Sequence, residues 1–386
     1  MMKKHISRLL SGLLMTMILG MTNIPVLAME NKTIIVDGKV FAVSRDCKGE
    51  NWRFDSDEHT LFLEGYEGMY IDLGTQDEVT IDLSGTNKVV SNIEAPAIRV
   101  TGSLKVEGAG SLELSASGCH AALFAQEGSL TITDTTVSVE GTGATENTEY
   151  LVMADGPILL EKASLTVHDK ITSTGGAIGN TKDNITIQDT KISIDSLGKA
   201  IASLDGSLKI SGSASELTLS ASESVLYAKN GITLDDGVKA SVTCNSSEVT
   251  AVFVPEGDVL IKQSSLKIES KKTAIAGKYI ILTEAYLADP FDGEIFEVSS
   301  MHTVRFENEV CANVEFRSGA RPTPTPTPTP TPIPPTPTPT PTPEAGIDDF
   351  FASMFTTRTM IGGILVIVSL IVILILIVSK VRNRHY

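Results

Sequence analysis

The chain has 386 residues, of which 42% are hydrophobic, enough for one large domain with additional segments. Its net charge is −16 at pH 7, and the two terminal segments, 1–28 and 380–386, contain basic residues but no aspartate or glutamate. The part between them is therefore strongly acidic, which argues against nucleic acid or an anionic membrane surface as a partner. An acidic polysaccharide would need a bridging cation such as calcium.

Residues 1–28 have the features of a secretory signal peptide. Three basic residues begin the segment, an apolar run covers 9–21, and Ala28 provides a small residue at the expected cleavage site. We therefore predict that the protein is exported.

Residues 29–73 are predicted to form an N-terminal cap, because a solenoid needs a cover over its apolar end. This is the most aromatic part of the chain and includes its only tryptophan, Trp52. Two interpretations are open. Trp52, Tyr66 and Tyr70 are candidate ligand-binding residues that would stack on sugar rings. Alternatively, these rings close the end of the solenoid.

A short pattern recurs from Gly102 to Leu282: a turn residue, one further residue, then a strand of three residues with apolar ends. Its repeats are 21 to 28 residues apart, a spacing typical of repeat architectures. The first apolar residue of each strand, here called the anchor, is Leu104, Leu130, Ile158, Ile185, Leu208, Ile232, Val259 and Ile280. Leu61 and Val79 are candidate earlier anchors.

The residue two positions before each anchor supports this alignment. Seven of the eight are Gly, Asn or Asp, and the eighth is Lys278. Because these residue types tolerate positive φ, we predict a tight bend in the left-handed region before each strand.

Each repeat contains three strand-like pieces with apolar ends and a polar middle, as in Leu130-Thr131-Ile132. We predict an all-β fold, a right-handed parallel β-helix over residues 74–318 with about ten turns and a cap at each end. A left-handed hexapeptide helix would need shorter turns. A β-sandwich is the alternative, but it gives no reason for one conserved turn position in eight repeats.

Four segments resemble a known group of proteins: Trp52-Arg53-Phe54-Asp55, Thr60 to Tyr66, Val79 to Asn87 and Ala97 to Leu104. These are the right-handed β-helix surface proteins of clostridia and related gut Firmicutes, described as carbohydrate-binding domain-containing proteins. The resemblance covers about residues 33–316. It implies a fold similar in shape to pectate lyases and a plant polysaccharide as ligand, but it supplies no binding residue by position.

Acidic residues follow several anchors by three or four positions, namely Glu107, Asp134, Glu161 and Asp189. If they aligned in one column, their oxygens would lie about one strand spacing apart and suit calcium. This is the candidate metal site, and calcium is the only cofactor that the sequence suggests. The alternative is a row of solvated turn residues.

Evidence for catalysis is weaker. Arg99, Lys162 and Lys209 are possible bases for a lyase, yet no convergent cluster of catalytic groups can be derived, and no catalytic residue is assigned. The sequence favours a binding protein over an enzyme. An outward ladder that includes Lys105, Thr131, Thr186, Lys209 and Thr233 offers a flat polar face to an extended chain.

The four cysteines, Cys47, Cys119, Cys244 and Cys311, are too far apart in the predicted helix to pair. Cys119 and Cys244 lie about five turns apart, whereas a disulfide needs Cα atoms within about 7 Å. We therefore predict free thiols, without a zinc site.

The C-terminal part is predicted to anchor the domain. Residues 319–346 are predicted to form a disordered stalk, in which 322–343 alternate Pro and Thr almost without break. Residues 347–359 form a juxtamembrane segment. Residues 360–379 are an uncharged apolar run long enough to span a bilayer. The basic segment 380–386 then lies in the cytoplasm by the positive-inside rule.

Together these features predict a single-pass membrane protein with an extracellular β-helix that captures or adheres to a polysaccharide, either plant fibre or host glycan. A polysaccharide lyase or glycoside hydrolase is one alternative. A structural display module that binds a protein partner is another.

Overall fold

The computed structural model describes residues 33–322 apart from 76–77, 92–94, 118–120, 144–149 and 172–174. The described residues form an all-β structure without helices, a β-solenoid of about eight turns of stacked parallel strands. The parallel β-helix predicted from the repeat is confirmed. The number of turns is smaller than the predicted ten.

The described residues form thirty-seven strands, which are numbered in chain order. Four precede the solenoid: β1 (Thr33–Val36), β2 (Lys39–Ala42), β3 (Cys47–Gly49) and β4 (Trp52–Asp55). The first half of the solenoid contains β5 (Thr60–Glu64), β6 (Glu67–Met69), β7 (Ile71–Gly74), β8 (Val79–Ser84), β9 (Thr86–Ser91), β10 (Ile98–Val100), β11 (Leu104–Glu107), β12 (Ser111–Ser117), β13 (Leu123–Ala125), β14 (Leu130–Thr133), β15 (Thr136–Gly143), β16 (Tyr150–Ala154), β17 (Ile158–Glu161), β18 (Ser164–Ile171) and β19 (Gly176–Asn180).

The second half contains β20 (Ile185–Gln188), β21 (Lys191–Ser196), β22 (Lys199–Ser203), β23 (Ser207–Ser211), β24 (Glu216–Ala221), β25 (Leu226–Ala228), β26 (Gly231–Asp235), β27 (Lys239–Cys244), β28 (Thr250–Phe253), β29 (Asp258–Lys262), β30 (Ser265–Glu269), β31 (Thr273–Ala276) and β32 (Ile280–Thr283). The last strands are β33 (Ala285–Asp289), β34 (Glu294–Val298), β35 (Met301–Phe306), β36 (Glu309–Val310) and β37 (Val314–Ser318).

Every turn places one strand in each of three long sheets. Each of the three sheets takes every third strand of the solenoid. Sheet B takes β5, β8, β11 and so on to β32, sheet C takes β6, β9 and so on to β30, and sheet A takes β7, β10 and so on to β31. Within these runs neighbouring turns pair in parallel. The chain therefore passes from sheet B to sheet C to sheet A before it begins the next turn.

The predicted register of sheet B is confirmed. Leu104 pairs with Leu130, and the pairing continues through all eight anchors to Ile280. Val79 pairs with Leu104 and belongs to the same column. Leu61 does not, because it pairs with Ile81, two residues beyond the anchor position.

The anchors face inward and are almost completely buried, with the rest of the core formed by the inward residues of sheets A and C. One continuous hydrophobic cluster runs from Ile34 to Phe316. Each buried Leu, Ile or Val contributes about 1.5–3 kcal/mol by leaving water, so every turn is stabilised by its contacts with its two neighbours.

The predicted conformation of the turn before sheet B is wrong. The described residues at this position are not among those with positive φ. At 206 and 257 glycine is needed for another reason: a Cβ added to either residue would lie within 3.0 Å of a backbone oxygen of the preceding turn. Close approach of two backbones, not the φ angle, excludes a side chain.

Positive φ instead occurs four residues after each anchor, at the end of the strand in sheet B. All eight residues of this column have φ between 48° and 115°: Gly108, Asp134, Lys162, Asp189, Gly212, Asp236, Gln263 and Glu284. The bend from sheet B towards sheet C therefore has the same left-handed geometry in every turn from β11 to β32.

Antiparallel strands cover the two ends. At the N-terminal end β1 pairs with β2 and β7, and β4 pairs with β3 and β5. At the C-terminal end β37 pairs with β30 and β33, and β34 to β36 form a small separate sheet. Parallel pairing begins with β5.

Several predicted segments lie outside the described residues. These are the signal peptide 1–28, the stalk beyond residue 322, the juxtamembrane segment 347–359, the apolar span 360–379 and the tail 380–386. Among the residues that the structure does describe, no helix has the length and apolar character needed to cross a membrane.

Three of the four cysteines lie in described segments. Cys47, Cys244 and Cys311 are free thiols, and Cys244 is buried. Burial raises the pKa of the half-buried thiols of Cys47 and Cys311. Cys119 lies outside the described residues.

One carboxyl group is buried in the solenoid. Asp169, in β18, accepts hydrogen bonds from the Ser196 hydroxyl at 2.7 Å and the Ile171 amide at 3.1 Å. Burial nevertheless raises its pKa above the usual aspartate value, and the nearby Asp195 raises it further.

We expect the stability of the Asp169→Asn variant, relative to that of the wild type, to increase as the pH rises. A raised pKa in the folded state means that folding favours protonated Asp169. Its contribution to stability is therefore complete below the unfolded pKa and is lost as the pH rises through the folded pKa. The difference in unfolding free energy between variant and wild type should therefore shift towards the variant between pH 3 and pH 7. Urea unfolding at both pH values measures this, and a constant difference would contradict it.

Candidate functional site

The predicted aromatic ligand site is largely part of the core. Trp52 and Tyr66 are buried, and both belong to the main hydrophobic cluster. The Trp52 ring packs edge-on against Phe41, with ring centroids 5.3 Å apart. Tyr70 is half-buried. Since a stacking platform needs exposed ring faces, the burial of Trp52 and Tyr66 favours the alternative interpretation, that these rings close the end of the solenoid.

The four acidic residues of the predicted calcium site do not form one column. Glu107 pairs with Asp82, and Glu161 pairs with Thr133 and Gln188, so the two glutamates belong to one column but are separated by Thr133. Asp134 and Asp189 lie one position further along, in the positive-φ column with Lys162 between them.

Members of each acidic pair are thus two turns apart, or about 10 Å. Calcium ligands lie about 2.3–2.6 Å from the ion, so these backbone positions do not make a shared site. Among the described residues, no group of three or more Asp, Glu, His or Cys side chains is placed to hold a metal ion. Calcium binding stays a prediction from the sequence.

The candidate bases are separate from one another. Arg99 is on sheet A and forms an ion pair with Asp72. Lys162 is at the bend after sheet B, 3.7 Å from Glu161. Lys209 is exposed on the outer face of sheet B.

The predicted polar ladder of sheet B is present, with three apolar interruptions. Thr131 pairs with Lys105 and Leu159, and the column continues through Lys209 and Thr233 to Leu260 and Ile281. This face is mostly polar, with aliphatic residues at Leu159, Leu260 and Ile281.

A different surface emerges on the outer face of sheet A. In sheets B and C the outward residues are mostly polar, whereas along sheet A they are mostly apolar. From β10 to β31 this outward column contains Arg99, Phe124, Met153, Gly179, Ala202, Tyr227, Phe253 and Ala276. The part from Phe124 to Phe253, together with Tyr150 and Leu204, is called the aromatic stripe below.

The stripe is packed as a second hydrophobic cluster, separate from the core. Its centre is formed by Tyr150, Met153 and Ala202, which are nearly buried, while Phe124 and Tyr227 are partly exposed around it. The ring of Tyr150 lies over Gly179, where an added Cβ would overlap with it. Glycine in the outward column thus makes room for an aromatic ring from the neighbouring turn.

The stripe ends in a pair of rings. Tyr227 and Phe253 lie on successive turns with centroids 6.0 Å apart and planes tilted by 50°. Five strand spacings separate Phe124 from Phe253, so the stripe is about 24 Å long and parallel to the stacking direction.

Ion pairs border the stripe on one side, in the loops that lead from sheet A to sheet B. Lys182 contacts Asp155 at 2.9 Å, and Lys229 contacts Asp205 at 2.9 Å. The hydrogen bond to Asp205 raises the pKa of Lys229. On the other side, Lys199 and Glu223 form a partly buried pair at 2.5 Å.

Tyr150 lies between these borders. Burial raises the pKa of its hydroxyl far above the usual range, and the charge of Glu223 raises it further. The hydroxyl is therefore neutral at all physiological pH values, and the stripe has no ionised group of its own.

The pattern that reveals the stripe is visible in the sequence once the three sheets are distinguished. In Leu104-Lys105-Val106 the middle residue is polar, but in Leu123-Phe124-Ala125 and Leu226-Tyr227-Ala228 it is aromatic. A run of outward apolar and aromatic residues along one sheet is typical of an interaction surface.

No protein-family model, no curated protein and no solved structure matches this chain. The resemblance to clostridial surface proteins stays a prediction, and function is inferred from the surface itself.

Proposed function

We propose that this protein binds a polysaccharide along the aromatic stripe of sheet A. The observation that supports the proposal is the stripe's combination of an apolar floor with a border of charged hydrogen-bonding groups over about 24 Å. We also propose the right-handed form of the solenoid, on the basis of its 21- to 28-residue repeats.

The stripe fits the two kinds of surface on a pyranose ring. The C–H groups on a sugar face are apolar and pack on aromatic rings, which supply large contact areas with little loss of side-chain freedom. The hydroxyls at the sugar edge both donate and accept hydrogen bonds. The carboxylates of Asp155 and Asp205 accept such bonds, and Lys182 and Lys229 donate them.

The linear shape favours a chain over a single sugar. Successive turns repeat about every 4.8 Å, so a chain that follows the stripe passes similar rings and polar groups several times. Such repeated weak contacts add up when they are held on one rigid scaffold.

The charge of the border favours a neutral polysaccharide. The three described lysines of this border, Lys182, Lys199 and Lys229, are each paired with a carboxylate, so none of these three is left to bind a uronate. Pectin would meet a net negative protein, and binding it would require calcium.

The predicted signal peptide, stalk and apolar span support a position outside the cell on a membrane anchor. Capture of polysaccharide or adhesion to it at the cell surface is then the biological role that we propose.

Retention on insoluble polysaccharides tests the proposal. We expect the full-length chain in mild detergent to be retained on cellulose or mannan equally in calcium and in EDTA. Tyr227→Ala or Phe253→Ala should each weaken retention by about tenfold, the effect of losing one aromatic contact with the ligand. Affinity is measured from depletion isotherms.

Thr233→Ala and Lys209→Ala are the matched controls, because both residues face outward on sheet B and touch no part of the stripe. Their isotherms should equal that of the wild type. Weakening by the sheet B variants alone would place binding on the polar ladder instead. Retention on pectin only in calcium would contradict the neutral ligand, and no retention on any polysaccharide would contradict the proposed function.

A further inference from the structure

The last strand of sheet B, β32, has a free edge. At the same end sheet A is covered by β35, through a bridge between Gly277 and His302, and sheet C is extended by β37. Sheet B ends at β32, which pairs with β29 and with no other described strand.

Along this edge, some peptide groups of β32 point away from sheet B and have no strand beside them. The carbonyl oxygens of Tyr279 and Thr283 accept hydrogen bonds from the turn above, from the amides of Val259 at 2.8 Å and Gln263 at 3.0 Å. Because peptide groups alternate along a strand, those of Ile280 and Leu282 point away from the sheet. Four hydrogen-bonding groups therefore point away from sheet B, with no described strand paired to them.

The edge lacks the features by which proteins usually prevent strand pairing, such as a central lysine, a proline or a bulge. The run from Tyr279 to Thr283 is uncharged, and the side chains of Tyr279 and Ile281 are 49% and 42% exposed. A charge of opposite sign lies directly outside each end of the run, at Lys278 and Glu284.

We propose that two copies of this chain associate through β32, as an antiparallel pair with its two-fold axis at Ile281. This register places Ile280 opposite Leu282 of the second copy, and both residues have outward peptide groups. Four hydrogen bonds then form across the axis. The two twelve-stranded B sheets become one continuous sheet.

The charges support a second copy as the partner. In the proposed register Lys278 lies opposite Glu284 of the other copy, twice in each dimer, and opposite charges at facing positions stabilise strand pairs. A shift of one residue would place at the interface the peptide groups that already bond to β29, and it would move Lys278 away from Glu284 of the other copy. The sequence is thus complementary to itself in the one register that also satisfies the backbone. This inference does not depend on glycan binding.

Site-specific cross-linking tests the dimer. The proposed axis brings the two Ile281 residues together as a non-hydrogen-bonded pair with Cα atoms about 4.5 Å apart, within the range of a disulfide. We expect full-length Ile281→Cys in membranes to form a covalent dimer rapidly under mild oxidation. Thr233→Cys, in the same outward column two turns earlier, should not. The unsubstituted chain gives the background from its own cysteines.

Charge reversal tests the register. In the Ile281→Cys background, Lys278→Glu or Glu284→Lys should slow dimer formation by about tenfold or more, since each creates two like-charge pairs. The double reversal should restore the rate, because the pairs form between copies. Circular dichroism confirms that each variant is folded. The proposal would be overturned by the absence of a dimer, by equal cross-linking of Thr233→Cys, or by cross-linking rates that do not change on charge reversal.

Discussion

Replacement of Gly257 by alanine is expected to lower the free energy of unfolding by about 3 kcal/mol, at the upper end of the range for overpacking. The added Cβ would overlap with the carbonyl group of Asn230 in the preceding turn. That carbonyl cannot move away freely, because Asn230 and Glu256 donate hydrogen bonds to Gly206 and Lys229. The clash therefore has to separate two turns. Urea unfolding followed by circular dichroism measures the loss.

Gly231→Ala is the matched control for this prediction. Gly231 is the first residue of β26 in sheet B. Its added Cβ would lie 3.5 Å from the nearest atom, the backbone oxygen of Asp258, in ordinary contact. We expect a change smaller than about 1 kcal/mol, of either sign, since alanine also restricts the unfolded chain. Equal losses for the two variants would show that close backbone approach is not the reason for glycine at 257.

The register of sheet B could be predicted from the sequence because burial imposes it. An anchor such as Ile185 must face inward in every turn, and a slip of one residue would expose it. The spacing between anchors varies with loop length, yet the apolar pattern of each strand still identifies the inward residue. Parallel pairing then follows from stacking the turns.

The conformation of the turns could not be predicted by the same means. Glycine at 206 or 257 indicates equally a positive φ or a close backbone contact, and only coordinates separate these causes. Conversely, Lys162 and Gln263 adopt positive φ although their residue types disfavour it. The solenoid imposes this geometry on whichever residue occupies the position.

The same limit affected the predicted calcium site. The prediction counted residues either three or four positions after an anchor, and these belong to two adjacent columns. A difference of one position decides whether a carboxylate lies at the end of the strand or in the bend. Glu161 ends a strand, whereas Asp189 lies in the bend itself. A metal site needs its ligands placed to a fraction of an ångström, which repeat spacing does not provide.

The aromatic stripe was missed for a different reason. Phe124 and Tyr227 each stand within ordinary strand patterns, and neither is unusual alone. Their alignment depends on how sheets B, C and A follow one another in each turn. Once that order is known, the contrast between apolar outward residues in sheet A and polar ones elsewhere is clear.

Truncation of Tyr66 should separate stability from binding. We expect Tyr66→Ala to lower the free energy of unfolding by about 3–5 kcal/mol, the usual effect of deleting a buried aromatic side chain. The ring is 1% exposed, and its hydroxyl donates a hydrogen bond to Asp37 at 2.8 Å, which ties the first hairpin to the solenoid. Chemical unfolding measures the loss, and cellulose depletion isotherms measure binding by the folded fraction.

The Tyr66→Phe variant separates the contribution of the hydroxyl group to stability from that of the ring. It keeps the ring and removes the hydrogen bond to Asp37, so we expect a loss of about 0.5–1.5 kcal/mol. Both variants should bind polysaccharide as the wild type does when corrected for the folded fraction, because the cap contributes no exposed ring at this position. A folded Tyr66→Ala protein with weakened binding would instead return the ligand site to the N-terminal end, and the aromatic stripe would then be a packing feature of sheet A.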